Sequence, residues 1–414
     1  MRWSIYSFFY YVTFLALITH EKLQTGKTMQ LSQLSKAILI SLLPATSVFA
    51  AGLDRSGQSI SAFLQSGNYA EAGLSVLDPT VKGKDTSNNP VSDMGDDYYF
   101  PSAAIKIQAT DKISLGLLYD QPYGADATYS VDGSNFADST EGTQVQVRTN
   151  NLTALIGYQP TENWNFYAGP VWQTVEADIK LRGLAYGGNA KLGTYNIKIE
   201  QEEAFGWLAG FAYSIPEIAL KAAVTYRSEI EHNAKSKEST LLPVPSLSAL
   251  TSSVDATTPQ SVNFDFQTGI AKDTLAFANV RWVHWSQFAV KPTLLGNISS
   301  IPAPHVRQNL IDYSDDQYSV TAGLSRKFNA KWAGTAAVGY DSGAGNPVTT
   351  LGPVEGNWNV GLGAQYSPAE SYFIAAGVKY FWLGDAEGQT GGVVKGEFSD
   401  NHAIGYGMKI GYRF

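Results

Sequence analysis

Residues able to do chemistry are sparse and scattered in this chain. It has no cysteine in 414 residues, which excludes disulfides and thiolate metal sites. The histidines lie far apart and do not recur at metal-binding spacings, so we expect those in loops to be surface residues; they are His20, His232, His284, His305 and His402. No phosphate-binding glycine loop, Gly-x-Ser-x-Gly or His-Glu-x-x-His motif is present. The sequence therefore predicts no cofactor, no metal and no enzyme, with an outer-membrane phospholipase or protease as the alternative.

The N-terminal region has the pattern of a secretion signal. Lys36–Ala50 combines a cation, a short apolar run and small residues, Val48 and Ala50, before a cut site. We therefore predict cleavage after Ala50, with Met29 as the natural start and residues 1–50 as extension plus signal peptide. A second apolar run, Ile5–Ile18, is short for a spanning helix. We interpret it as an upstream extension, and the alternative is a membrane anchor.

Charge and hydropathy narrow the class of protein. Removal of residues 1–50 takes away four cations and one anion, so the formal net charge moves from −8 to −11. An acidic chain of this kind is not expected to bind nucleic acid. No later stretch offers the roughly 20 consecutive apolar residues of a spanning helix. A secreted chain of this kind crosses a membrane only as a closed β-barrel, because lipid leaves open backbone groups unpaired.

The last strand shows the alternation of such a barrel. One face carries apolar side chains and the opposite face carries glycine and cations. The apolar face comprises Ile404, Tyr406, Met408, Ile410, Tyr412 and Phe414. We expect this face to contact lipid and Lys409 to face the lumen. The ending on Tyr412 and Phe414 looks like the C-terminal signal read by the barrel-assembly machinery. A closing strand of a soluble β-protein is the alternative.

The remaining chain predicts an all-β, 14-stranded antiparallel transmembrane β-barrel over residues 69–414. Short turns alternate with long connections, as periplasmic turns and outer loops do in bacterial barrels. The predicted strands are Tyr69–Leu77, Ser102–Gln108, Ile113–Asp120, Gln144–Tyr158, Trp164–Leu181, Ala204–Tyr213, Ala219–Ile230, Ser261–Ile270, Thr274–Trp285, Gln317–Phe328, Trp332–Tyr340, Asn357–Tyr366, Tyr372–Leu383 and His402–Phe414.

Aromatic residues near the strand ends predict two interfacial girdles. Trp164, Trp332 and Tyr366 lie beside the short turns. Trp285 and Trp382 lie beside the long loops and are assigned to the outer girdle.

Residues 51–68 precede the first strand and carry isolated apolar side chains. Phe63 and Leu64 would have no use in a solvated tail, so we predict a short N-terminal hatch inside the lumen. A disordered periplasmic tail is the alternative.

From Ala51 to Phe414 the chain resembles the FadL family of outer-membrane transporters for long-chain fatty acids and aromatic hydrocarbons. Thr225–Glu229 and Asp78–Gly83 look like family segments. The most specific matches are Leu242–Pro245 and Trp285–Phe288. The resemblance implies fourteen strands, an N-terminal hatch and passive uptake of a hydrophobic small molecule across the bacterial outer membrane, whose lipid surrounds the barrel.

Two departures from the family bear on the ligand. The Asn-Pro-Ala segment of the family hatch is missing, and Ser314–Asp316 stands where fatty-acid transporters of the family carry a lysine. The family arginine at the end of the fifth strand falls on or beside Leu181–Arg182. The resemblance therefore implies that Arg182 is the partner of a ligand carboxylate.

Two long loops carry the remaining predicted ligand contacts. Their apolar residues predict a capture groove at the outer mouth, with Phe63 and Leu64 of the hatch below it. The groove residues are Leu184, Tyr186, Leu192, Leu241, Leu242, Val244, Leu247 and Leu250. Internal packing of the loops is the alternative interpretation. An outer-membrane porin or a surface adhesin is the alternative function, and large steady conductance would favour the porin.

The end of the third strand predicts a lateral gate. Pro122 cannot donate to a sheet ladder, and Gly124 beside it permits a bend. The wall is therefore expected to be unpaired near Gln121, Pro122 and Gly124. The resemblance implies an inward kink of the third strand here, through which ligand leaves sideways into the membrane. The alternative is that Pro122 only begins the second long loop.

Overall fold

The computed structural model describes residues 53–301 and 307–414. The predicted signal peptide and cleavage site, together with His305, lie outside these residues. No helix in the described ranges is long and apolar enough to cross a membrane.

Fourteen antiparallel strands form a closed barrel, as predicted. Strand β14 pairs with β1 in register from Tyr69 opposite Arg413 to Thr80 opposite His402, which closes the wall. The strands are β1 Tyr69–Thr80, β2 Tyr98–Gln108, β3 Ile113–Asp120, β4 Gln144–Tyr158, β5 Trp164–Lys180, β6 Asn196–Ile215, β7 Leu220–Arg227, β8 Ser261–Ala271, β9 Thr274–Val283, β10 Gln317–Lys327, β11 Trp332–Asp341, β12 Asn357–Ala369, β13 Tyr372–Leu383 and β14 His402–Arg413.

The alternation of side chains sorts the two faces of the wall. On β14, Tyr406 and Ile410 are 46% and 50% exposed on the outer surface. Lys409 points inward and pairs with Glu71 of β1 at 3.0 Å. Because neighbouring strands repeat this pattern, the barrel has an apolar outer belt and a polar lumen, which is typical of an outer-membrane protein.

Aromatic pairs mark both ends of the belt. Trp332 contacts Tyr366 near the short turns, and Tyr340 contacts Trp358 near the long loops, each with 4.8 Å between ring centroids. The assignment of Trp285 to the outer girdle was wrong. Its side chain is fully buried, because a 3-10 turn, Trp285–Gln287, carries the chain inward after β9.

The long loops fold into a layer above the barrel. The connection predicted as a loop after β7 contains a hairpin, Ile230–Ser239 and Ala249–Thr258, whose first strand pairs with the outer end of β6. Its inward positions include the polar residues His232, Ser236, Glu238, Ser252 and Thr258, so hydrophobic alternation did not reveal it. The helices are α1 Pro245–Ser248 and α2 Thr293–Ser299. The smaller strands are Gly83–Asp85, Pro90–Val91, Gly124–Thr128, Ala289–Val290, Ile311–Asp312, Val348–Thr349, Ala386–Thr390 and Val393–Phe398.

Candidate functional site: two cavities and the segment between them

Residues 53–68 lie inside the barrel and run from the outer half of the lumen to the start of β1. We call this stretch the inner segment. Its lower half packs through Ile60, Phe63 and Leu64 against inward residues of β3 to β7. Phe63 lies over Gly116 of β3, where a Cβ atom would come within 2.4 Å of its ring. Glycine at position 116 therefore leaves room for the ring of Phe63.

A buried ion pair anchors the upper half of the inner segment to the wall. Arg281 of β9 donates from Nε to Asp54 at 2.7 Å, and neither side chain is more than 2% exposed. The same guanidinium donates to Gln58 at 3.0 Å and to Asn263 of β8 at 2.7 Å. Asn263 also donates to the carbonyl of Gly57 at 2.9 Å. One arginine thus joins two inner-segment residues to two strands.

The chain beyond β3 turns inward and pairs with the inner segment. The Arg55 amide donates to the Pro122 carbonyl at 2.7 Å, and the Gly124 amide donates to the Leu53 carbonyl at 2.9 Å. Glycine at position 124 also lets the chain pass close to β2, because a Cβ atom there would lie 1.9 Å from the hydroxyl oxygen of Tyr98. We call residues 119–124 the kink segment.

The kink leaves a window in the wall between β2 and β3. Their ladder runs only as far as Ala103 opposite Tyr119, and pairing resumes at the bridge between Gly95 and Ala127. The Asp96 amide still donates to the Asp126 carbonyl at 3.2 Å, and within the described chain residues 97–102 have no ladder partner on this side. At about 3.3 Å per residue the window is roughly 20 Å long. Pro101 on its edge is level with the lipid-facing Leu74, so the window faces the membrane.

An apolar cavity of about 50 Å³ lies on the outer side of the kink segment. We call it the outer cavity. Leu53, Tyr123 and Trp285 line it, together with inward residues of β4 to β6 and the hairpin. Its hydroxyl groups are all used within the protein. Thr149 donates to the Tyr123 carbonyl at 2.7 Å, Thr258 to the Gln173 side chain at 2.7 Å, and Tyr123 to the Pro259 carbonyl at 3.3 Å.

A second cavity of about 120 Å³ lies beside the window. We call it the wall cavity. Ser56 of the inner segment, Asp120 of the kink segment and Arg227 of β7 contribute to its polar lining. Phe100 and Leu118 contribute to its apolar side. The inner segment and the kink segment therefore separate the two cavities, and each contributes residues to both.

The predicted carboxylate partner Arg182 is buried and fully engaged in the outer layer. Its guanidinium pairs with Glu141 at 2.6 Å and donates to the carbonyls of Leu181 and Tyr195 and to the side chain of Asn196. Burial opposes ionisation of Glu141, but bonds from Arg182 and Lys180 outweigh it and hold the pKa of Glu141 below its ordinary value. A ligand carboxylate at Arg182 would have to displace Glu141.

The predicted groove residues divide between surface and interior. Leu184 is 72% exposed and Val244 is 43% exposed at the outer mouth. Leu242 and Leu247 are partly buried against the loop core, which supports internal packing for these two. Phe63 and Leu64 pack on the wall, and Gln121, Pro122 and Gly124 lie in or beside the window. At the opposite end, Tyr412 and Phe414 stack on the lipid face with 5.7 Å between rings.

Sequence reasoning missed the polar residues that join distant parts of the barrel. Asp54, Arg281 and Arg227 carry no local signature, although Arg227 lies within the family-like segment Thr225–Glu229. His232 is not the expected surface residue: it is buried and bonded to Glu202 at 2.6 Å and Gln173 at 2.8 Å. The described residues contain no group of three or more carboxylates or histidines able to hold a metal.

Comparison with known proteins identifies the architecture. Residues 58–414 match the family described as outer membrane protein transport protein (OMPP1/FadL/TodX). The chain belongs to this family. It is therefore a bacterial outer-membrane protein with the fold of the FadL/TodX transporters of hydrophobic compounds. The family consists of transport channels rather than enzymes, and no curated protein sequence matches the chain.

Solved structures of this family share the fold. A FadL homologue of Pseudomonas aeruginosa is 14% identical with a TM-score of 0.70, over 90% of this chain and 96% of that chain. The toluene transporter TodX of Pseudomonas putida is 13% identical with a TM-score of 0.59, over 85% and 91%. The toluene transporter TbuX of Ralstonia pickettii is 12% identical with a TM-score of 0.58, over 90% and 96%. At these identities the likeness establishes the fold.

Proposed function

We propose that this protein takes up hydrophobic compounds, such as long-chain fatty acids, by passive diffusion with lateral exit through the barrel wall. The observation that carries the proposal is the window between β2 and β3, which adjoins the wall cavity and faces lipid. An apolar molecule that leaves sideways never enters the periplasmic water, where its solvation is unfavourable.

The first step of the route is capture in the outer cavity. Its lining hydroxyls donate to protein acceptors, so they would not hold water in competition with a ligand. Apolar walls of this kind favour hydrocarbon over polar solutes. The exposed Leu184 and Val244 above it are the proposed first contacts at the mouth.

The second step crosses the partition between the cavities. The inner segment and the kink segment are joined by the two backbone bonds at Arg55 and Gly124. Separation of the inner segment from the kink segment would connect the outer cavity to the wall cavity without unfolding the barrel. We also propose that the carboxylate of a ligand takes the place of Glu141 at the guanidinium of Arg182.

The test is to close the window. Replacing Gln121–Pro122 by Val-Thr restores an amide donor and a β-forming pair, so the β2–β3 ladder is expected to extend. Uptake of radiolabelled oleate into cells should fall to background while the amount of folded barrel stays constant.

The chain supplies a matched control. Gln159–Pro160 is the same dipeptide in the turn between β4 and β5. The Val-Thr exchange there should leave uptake unchanged. Normal uptake by the Gln121–Pro122 variant would contradict lateral exit and favour a path straight down past the inner segment.

A further inference from the structure

The wall cavity contains one buried donor that the protein leaves without a partner. Arg227, the last residue of β7, is 7% exposed and lines this cavity. Its Nη1 atom is buried and has no hydrogen-bond partner in the described part of the chain. A buried charged donor left unpaired is unfavourable, so a partner is expected to fill the position when the site is in use.

Neighbouring groups do not satisfy this donor. Asp120 attracts Arg227 electrostatically, but its Oδ2 atom accepts a hydrogen bond from Ser56 at 2.5 Å. The carboxylate of Asp54 already accepts from Arg281, as described above. The other charges in the cavity, Lys409 and Glu71, pair with each other at 3.0 Å. The polar atom that lacks a partner in this cavity is therefore a hydrogen-bond donor, and a ligand must bring an acceptor to pair with it.

The wall cavity is amphipathic, and its two sides have different places in the fold. Arg227, Asp120, Ser56 and Thr153 supply the polar side. Phe100, Pro101, Ala103 and Leu118 are the apolar lining residues at the edges of the window. The lining toward β1 and β14 is mixed, with apolar Ala62 and Met408 and polar Glu71, Ser75, Ser102 and Lys409. A molecule with an oxygen head and a hydrocarbon chain matches both sides at once.

We infer that Arg227 binds the oxygen-acceptor head group, in the first place a carboxylate, of an amphiphilic ligand whose chain points into the window. This inference rests on the proposed function and names a residue that recognises the head group of its ligand. It adds a carboxylate contact in the membrane-level cavity to the one proposed at Arg182 in the outer layer.

The test compares two ligands that differ in the head group. Binding of oleate and of 1-octadecene, which has a chain of equal length and no acceptor head, is measured by equilibrium dialysis on purified protein in detergent. Arg227→Met keeps an unbranched apolar stem and removes the charged guanidinium. It should weaken oleate binding about tenfold, which is about 1.4 kcal/mol, and leave 1-octadecene binding unchanged. Arg227→Lys should be intermediate for oleate.

The outcomes separate the inference from the function beneath it. Equal affinities of wild type and Arg227→Met for oleate, or an equal loss for both ligands, would overturn the role of Arg227. Failure of the wild type to bind either ligand would overturn the proposed function and this inference with it. If Arg227→Met does not fold, Arg227→Lys carries the same comparison. Arg326→Met, at an exposed position on β10, should change neither affinity.

Discussion

The ion pair between Asp54 and Arg281 allows a quantitative test of how the inner segment is held. Arg281→Met would leave the carboxylate of Asp54 uncompensated at a site that is 0% exposed. Removing one partner of a buried pair costs about 3–5 kcal/mol. Since each 1.4 kcal/mol is a factor of ten, the undocked population of the segment should rise by about two to three and a half orders of magnitude.

The absence of native cysteine makes the assay specific. Ala62 is 5% exposed in the inner segment, so Ala62→Cys places a single thiol that is protected while the segment is docked. The rate at which a membrane-impermeant maleimide labels this thiol in reconstituted vesicles reports the undocked population. Arg281→Met should raise that rate strongly, while the thermal stability of the barrel changes little.

Matched variants isolate the charge effect. Asp54→Asn combined with Arg281→Met removes both charges, so labelling should return most of the way to the wild-type rate. Arg326→Met should have no effect. A labelling rate in Arg281→Met within about threefold of wild type would refute the reasoning, because the lost compensation would then be worth less than about 1 kcal/mol. Labelling of the double variant as fast as the single variant would show that packing, not charge, is disrupted.

Three further predictions follow from the wall and the outer layer. Ile410→Arg puts a charge on the lipid face and should lower the free energy of unfolding in bilayers by about 2–4 kcal/mol, whereas Lys409→Arg in the lumen should change it little; equal values for both would show that the facing is wrong. If the ligand carboxylate replaces Glu141 at Arg182, Arg182→Ala should weaken oleate binding about tenfold. Unchanged affinity in equilibrium dialysis would show that Arg182 only stabilises the loop through Glu141. Burial raises the pKa of Glu355 to about 7, with Asp341 and Asp315 adding to the shift against a bond from the Gly345 amide. The folded state therefore holds this proton more tightly than the unfolded chain, so the outer layer should lose stability as pH rises from about 4.5 through 7. Relative to the intrinsic exchange rate at each pH, the amides of residues 342–356 should be less protected from hydrogen exchange at pH 8 than at pH 5, and this difference should disappear in Glu355→Gln.

Much of the barrel was predictable because its periodicity is local. A strand exposes every second residue to one face, so the rows ending in Ile410 and Phe414 identify the lipid side without any knowledge of neighbouring strands. The sorting of short and long connections then predicts strand number and orientation. Strand ends were less accurate: β6 extends eight residues further outward than predicted, because its outer end pairs with the hairpin strand Ile230–Ser239.

Proline chemistry also predicted where the wall is unpaired. Pro122 lacks an amide hydrogen, and the β2–β3 ladder stops before it is reached. The sequence could not show which part of the chain pairs with the backbone of the kink segment. The structure shows that the kink segment turns inward onto Leu53 and Arg55 of the inner segment.

The sequence by itself determined the class of fold, the facing of each strand and the place in the outer membrane, since these depend on side-chain alternation and turn chemistry within short windows. Only the tertiary structure decided which polar groups meet. Asp54 and Arg281 are 227 residues apart in the chain, and Arg182 is held by Glu141 rather than left open. Such pairings depend on the register of distant strands, which closure of the barrel sets. Among the described residues they leave Nη1 of Arg227 as a buried donor without a partner, in a residue that lines the wall cavity.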